Sequence, residues 1–272
     1  MHKFIAAAVQ MDTQNDKTQN MIQMAEYIDE AVSKGAQLIV FPEVVNILSE
    51  LPEHAETIPG PATELLSSKA KEHSVWIHGG SISEINPNGD RTYNTSVLVA
   101  PDGEIRAKYR KLHNFDMILP DGSSVRESDN KEPGSEIVTV QTELGTLGFA
   151  ICYDLRFPEQ FRLMRLAGTE IIFLPANFTM PTGKDHWEPL IRARAIENGV
   201  YIIAPNQTGE KEKFTAYGNS MIVDPWGTVI ARASDKPGVI LAEIDLEYLA
   251  TVREKNPSVE NRRTDLYRID GK

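Results

Sequence analysis

Three apolar runs of strand length, KFIAAAVQM, AQLIVFPE and SVWIHGGSI, are separated by segments whose apolar residues recur at helical spacing. This alternation constrains the fold more than any other feature of the chain. In the first spacer Asp16 can cap a helix that carries Ile22, Ala25, Ile28 and Val32 on one face and closes at Lys34 and Gly35. AQLIVFPE is almost continuously apolar, as a strand covered on both faces must be. Gly60-Pro61 then opens a second helix through ATELLSSKAKEH. A β-α-β-α-β rhythm of this kind requires a sheet with helices packed on it.

Hairpin signals interrupt the rhythm further on. YNTSVLVAPDGEIRAKYRK reads as two strands joined by a Pro-Asp-Gly turn, and GSEIVTVQTELGTLGFAIC as two more with a turn near Glu143–Gly145. A third pair, YGNSMIVDPWGTVIARA, turns at Asp224–Gly227. Between them lie a helix with Pro158 in its first turn, the strand TEIIFLPA, the helix DHWEPLIRARAIENG and the strand VYIIAPNQ. The strand GVILAEID, a short helix from about Leu246 and a polar tail close the chain. Such a mixture predicts an α/β protein with a mixed sheet or two sheets. No internal repeat, low-complexity tract or linker is legible, so residues 1–272 read as a single domain. The longest stretch without a clear element is 112–135, and a long loop inside a compact domain is often functional.

Charge and composition remove several classes of function. A net charge of −11 repels nucleic acid. No apolar run approaches the roughly 20 residues that cross a bilayer. The opening MHKFIAAAVQMDTQ reads as a first strand, because its apolar run is too short and lacks the cleavage site of a signal peptide. A single cysteine, Cys152, forms no internal disulfide, which points to a reducing cytoplasm.

That cysteine ends the strand LGFAI, just as Glu43 follows LIVFP and Lys111 follows IRAKYR. Ligands gather beyond the carboxyl ends of strands in open α/β sheets, so the three residues can meet in one cleft. Taken singly, a free cysteine is more often a small core hydrophobe, and a strand-end Glu or Lys is usually a surface charge. Together they make a nucleophile: an ammonium that lowers the thiol pKa, a carboxylate that moves protons, and an oxyanion site completed by the N–H of Tyr153.

The motifs FPE, YRKLH and CYDLRFPE resemble the Glu-Lys-Cys signatures of the nitrilase superfamily of carbon–nitrogen hydrolases. KLHNFD, Glu127 to Gly134, TGKDHWEPLIRARAIENGVYI and YGNSMIVDPWG are similar to its ω-amidase and deaminated-glutathione amidase branch. The resemblance implies an α-β-β-α sandwich, two mixed sheets flanked by helices, in a homodimer or higher homo-oligomer. It implies Cys152 as nucleophile, Glu43 as general base, Lys111 as stabiliser of the oxyanion and Glu127 as the carboxylate that holds Lys111. It also places Phe115, Phe178 and Thr182 in the substrate pocket. The expected partner is a small amide such as α-ketoglutaramate or deaminated glutathione, with no metal, organic cofactor, nucleic acid or membrane. Arg156 is the candidate clamp for a substrate carboxylate, against the plainer expectation of a salt bridge with Asp154 or Glu159.

Other readings stay open from the residues. His113 or His186 could pair with Cys152 as in Cys-His hydrolases, although His186 beside Trp187 suits packing or capping better. No metal-ligand spacing is present among the six histidines. An N-carbamoyl amide hydrolase, an aliphatic amidase, a nitrilase and a non-catalytic scaffold of the same fold also remain. The residues assign no role to the 116–126 loop or to the C-terminal tail.

Overall fold

A computed structural model describes residues 3–49, 51–118, 122 and 124–269. Two mixed sheets form. The first runs Gly238–Asp245, Lys3–Gln10, Leu38–Val40, Trp76–His78 and Tyr93–Val99, with Ile82–Glu84 and Ile105–Arg110 both paired to Tyr93–Val99. The second runs Val229–Arg232, Met221–Val223, Tyr201–Ala204, Ile171–Phe173, Gly145–Phe149 and Thr139–Thr142. All three hairpins expected from the sequence form as antiparallel pairs.

Alternation along each strand builds the layers. In the first sheet Ala7, Val9, Ile39, Phe41 and Ile77 face Met24, Ile28, Ala62 and Leu66 of helices Lys17–Ser33 and Pro61–His73. Their neighbours Ala6, Ala8, Leu38 and Val40 turn the other way, into a core shared with Phe149, Phe173 and Ile203 of the second sheet. Helices Pro158–Leu166 and Glu188–Asn198 add Phe161, Met164, Ile191 and Ala195 to that core. The result is helix, sheet, sheet, helix. No helix among the described residues is long and apolar enough to cross a membrane.

Three expectations need correction. Asp16 does cap the first helix, accepting from the Gln19 N–H, but the buried face is Asn20, Met24, Ile28 and Ala31, and Ile22 is 46% exposed. The packing stripe is set by where the helix crosses the sheet, which apolar spacing alone left ambiguous. Segment 112–135 holds a ribbon of Asp116–Ile118 with Ser124–Arg126 and a short turn Glu127–Asp129. Part of its tip, 119–121 and 123, lies outside the described residues.

The third correction concerns repetition. Each sheet contains the same series: an antiparallel neighbour, three parallel strands, then two antiparallel strands of a hairpin. LIVFPE stands in the first series where IIFLPA stands in the second, and YNTSVLVAPDGEIRAK where YGNSMIVDPWGTVIAR does. Even the register shift recurs, at Leu98/Val99 and at Ile222/Val223. The identities are too few to show without the strand pairings.

The polar side chain of His78 sits between the sheets. The fully buried His78 ring lies 4.6 Å from Phe173 and 5.5 Å from Phe149, and its Nδ1 accepts from the Gly80 N–H. Burial pushes its pKa from 6.5 down to about 3. The depressed value means the neutral ring stabilises the fold above pH 6.5 and this contribution is lost as pH falls toward about 3. In that window stability should drop by up to about 1.4 kcal/mol per pH unit through this residue. Urea midpoints of wild type and His78→Leu, compared between pH 7 and pH 4 (conditions chosen to bracket roughly the ordinary imidazole pKa), check it. The wild type should lose more stability, and parallel losses would show that His78 is not the source.

Candidate active site

Glu43 leaves the first sheet at Phe41-Pro42, and its turn is fixed from two sides. Ser81 N–H donates to Pro42 O at 3.2 Å, and Gly80 lies so close that a Cβ there would sit 1.9 Å from the same oxygen. Gly80 also has φ +62°, so glycine is needed here for both space and conformation. From just beyond the ends of two strands of the second sheet, Gln207 Nε2 donates to Glu43 O at 2.8 Å, and the Glu43 N–H reaches Ala176 O at 3.4 Å.

Cys152 opens the turn Cys152–Arg156 after strand Gly145–Phe149 and adopts φ +47°, unusual for a side-chain-bearing residue. Its N–H donates to Pro175 O at 2.8 Å. Buried Asp154 secures the turn by accepting from Ile151 N–H at 2.8 Å, Tyr109 Oη at 2.6 Å and His113 Nδ1 at 2.7 Å. Tyr109 and His113 flank Lys111 in sequence, so this carboxylate ties the nucleophile turn to the lysine segment. The Tyr153 N–H makes no hydrogen bond among the described residues.

Lys111 is 2% exposed. Its Nζ lies 2.8 Å from Glu127 Oε2 and 3.1 Å from Glu43 Oε1. Glu127 Oε2 also accepts the Phe115 N–H at 2.6 Å, so segment 112–135 folds around this carboxylate. Asn94 Nδ2 donates to both acids, at 2.9 Å to Glu43 and 3.3 Å to Glu127.

Burial alone would lower the Lys111 pKa, but the Glu127 and Glu43 carboxylates outweigh it and hold the ammonium well above its ordinary range. Burial raises the Glu127 pKa, yet Lys111 and the donors from Phe115 and Asn94 bring it below normal. Cys152 goes the other way from the sequence expectation. Burial and the facing Glu43 carboxylate raise its pKa well above the usual value, and Lys111 does not offset them. Burial contributes most, and charge balance adds to it: two carboxylates share one ammonium, and ionising the thiol would add a second net negative charge. The resting sulfur is therefore a thiol.

A cavity of about 260 Å³ opens over these groups. Glu43, Lys111, Glu127, Cys152, Tyr153, Arg156, Phe115, Phe178 and Thr182 all line it, so every site residue expected from the sequence converges there. Val44, Ile47, Leu48 and Phe214 make the wall largely apolar, and Lys131 and Lys213 line it beside Lys111 and Arg156. Arg156 forms no ion pair with Asp154, Glu159 or any other described carboxylate; its guanidinium lies 3.4 Å from His186 Nδ1 and near the rings of Tyr153 and Phe178. His113 is bound to Asp154 and stacked on Phe157 at 3.6 Å, away from any pairing with the thiol. On the surface Asp29, Glu72 and His73 come together, but Lys69 already bridges Asp29 and Glu72. Asn94, Gln207 and the binding role of Asp154 were missed in the sequence. Asp154 carried a weak signal in its place two residues after Cys152; Asn94 and Gln207 carried none.

A buried acid, ammonium and thiol at the ends of strands from two sheets is the arrangement of a cysteine hydrolase. The carbon-nitrogen hydrolase family model matches residues 5–254, and the chain belongs to that family. It is 41% identical over 276 residues to the omega-amidase NIT2 of Xenopus tropicalis, covering 100% of this chain and 99% of that protein. The deaminated glutathione amidase of Synechocystis is 40% identical over 269 residues, covering 96% of this chain and 99% of its own length. Among solved structures, the C. elegans NitFhit protein superposes with a TM-score of 0.92 at 36% identity, over 99% of this chain and 67% of that one.

The charge balance predicts the behaviour of the free thiol. Iodoacetamide should alkylate Cys152 slowly at pH 8, near the pKa of an ordinary thiol at roughly 8.5, and Glu43→Gln should react faster by removing one negative charge. Mass spectrometry reads a single site, since the chain has one cysteine. Faster alkylation of the wild type would contradict the resting thiol.

Proposed function

We propose that the protein is a cofactor-free amidase that hydrolyses a small amide carrying a distant carboxylate, an ω-amide such as α-ketoglutaramate or the amide of deaminated glutathione, through a thioester on Cys152. The observation that carries this reading is a thiol, a base and an ammonium lining one cavity whose wall also presents Arg156, which has no carboxylate partner among the described residues. Relatives named for both substrates support it.

Cys152 Sγ bonds to the amide carbon while its proton passes to Glu43, so no free thiolate has to form. The carbonyl electron pair moves onto oxygen, where Lys111 Nζ and the Tyr153 N–H receive it. Collapse breaks the C–N bond as Glu43 returns the proton to nitrogen, and ammonia or an amine leaves. Water then adds to the thioester carbon and gives a proton to Glu43. Expulsion of sulfur, which takes that proton back, releases the acid. Glu127 keeps Lys111 in place throughout. Arg156 binds the substrate carboxylate, while Phe115, Phe178 and Thr182 shape the space between the two ends.

The same reading includes a reducing cytoplasm and a homodimer or higher homo-oligomer. Exposed Trp226 and Ile196, which lies against Gly227, support self-association, and sedimentation velocity tests it.

Two variants test the chemistry. Cys152→Ala should reduce ammonia release from α-ketoglutaramate to background with the fold retained. Arg156→Leu should raise KM for that substrate by about 10- to 100-fold, the worth of a hydrogen bond to a charged group, and leave a neutral aliphatic amide unaffected. Turnover surviving in Cys152→Ala, or equal effects of Arg156→Leu on both amides, would overturn the respective assignment.

A further inference from the structure

Glu43 presents two oxygens, and their surroundings differ. Oε1 receives both Lys111 Nζ at 3.1 Å and Asn94 Nδ2 at 2.9 Å, and among the described residues neither donor reaches Oε2. We propose that Asn94 is a positioning residue that keeps Glu43 Oε1 occupied and so leaves Oε2 as the oxygen that exchanges protons with Cys152 and the departing amine. This rests on the amidase reading above.

The orientation of Asn94 follows from its partners. Ionised carboxylates only accept, so the NH₂ group must face Glu43 and Glu127. Its Oδ1 then points away, buried and without a hydrogen-bond partner among the described residues. A fold rarely tolerates an unpaired buried acceptor, and here the tolerated defect is the other end of a donor shared by two anions. Asn94 and Lys111 close a ring with the two acids: Asn94 joins Glu43 Oε1 to Glu127 Oε1, and Lys111 joins Glu43 Oε1 to Glu127 Oε2. The Asn94 carbonyl also accepts the Lys111 N–H at 2.9 Å, so one residue sets both the backbone and the charge partners of the lysine. Without the amide, the Glu43 carboxylate is free to rotate and offer both oxygens to the ammonium. That rotation would close off the base while leaving the cavity intact.

Steady-state kinetics of Asn94→Ala and Asn94→Asp with α-ketoglutaramate, from acid to alkaline pH, separate this role from a structural one. Asn94→Ala should lower kcat by about 10- to 100-fold, part of the contribution of a well-placed general base, with little change in KM. Its acid limb should move to higher pH, because Glu127 loses the Asn94 donor that helps hold its pKa down. Asn94→Asp should be poor at neutral pH and recover in part as pH falls, when the introduced carboxyl is protonated and again a donor. An unshifted limb with kcat preserved, or a loss matched by a fall in the amount of folded protein, would overturn the proposal. If Cys152→Ala stays active, the amidase reading fails instead, so the two failures are distinct.

Discussion

The Lys111 ammonium is buried between two carboxylates, and the site is arranged around that contact. An isolated charge at this depth would neutralise or unfold its surroundings, and removing one partner of a buried pair costs about 3–5 kcal/mol. Glu43 arrives from the end of a strand in the first sheet, Glu127 from the segment that follows Lys111, and the thiol from the second sheet. Gly80, Gln207 and Asp154 work at one remove, setting the backbones that carry these groups. Burial, together with a lysine that neutralises only one of the two acids, keeps the sulfur protonated until a carbonyl carbon is available to take its electrons.

The chemistry is asymmetric on a repeated frame. Pro42-Glu43 and Pro175-Ala176 occupy equivalent places at the ends of LIVFPE and IIFLPA. The first copy supplies the acid. The second supplies main-chain acceptors, with Pro175 O holding the Cys152 N–H and Ala176 O facing the Glu43 N–H. The backbones of Cys152 and Glu43 are thus both tied to the IIFLPA strand end, and the two sheets cannot shift against each other without separating nucleophile from base.

Much of this was legible in the sequence, for identifiable reasons. Strands and hairpins were readable because apolar runs and Pro-Asp-Gly or Asp-Pro-Trp-Gly turns are local signals. Glu43, Lys111 and Cys152 were readable because strand ends are where such a sheet places ligands. Asn94 was not, since its meaning depends on acids that stand 51 and 33 positions away. The protonation of Cys152 was misread because a neighbouring ammonium was weighed without the thiol's own burial and without the ammonium's two carboxylate partners. The buried face of the first helix and the repeated topology depended on how elements pack, which spacing along one chain does not encode.

Keeping the thiol neutral also fits the chain's use of a single, nearly buried cysteine, since oxidants attack exposed thiolates first. Neutron diffraction from deuterated crystals tests the charge arrangement most directly. The account predicts a deuteron on Cys152 Sγ, three on Lys111 Nζ and none on Glu127. A bare sulfur would contradict it.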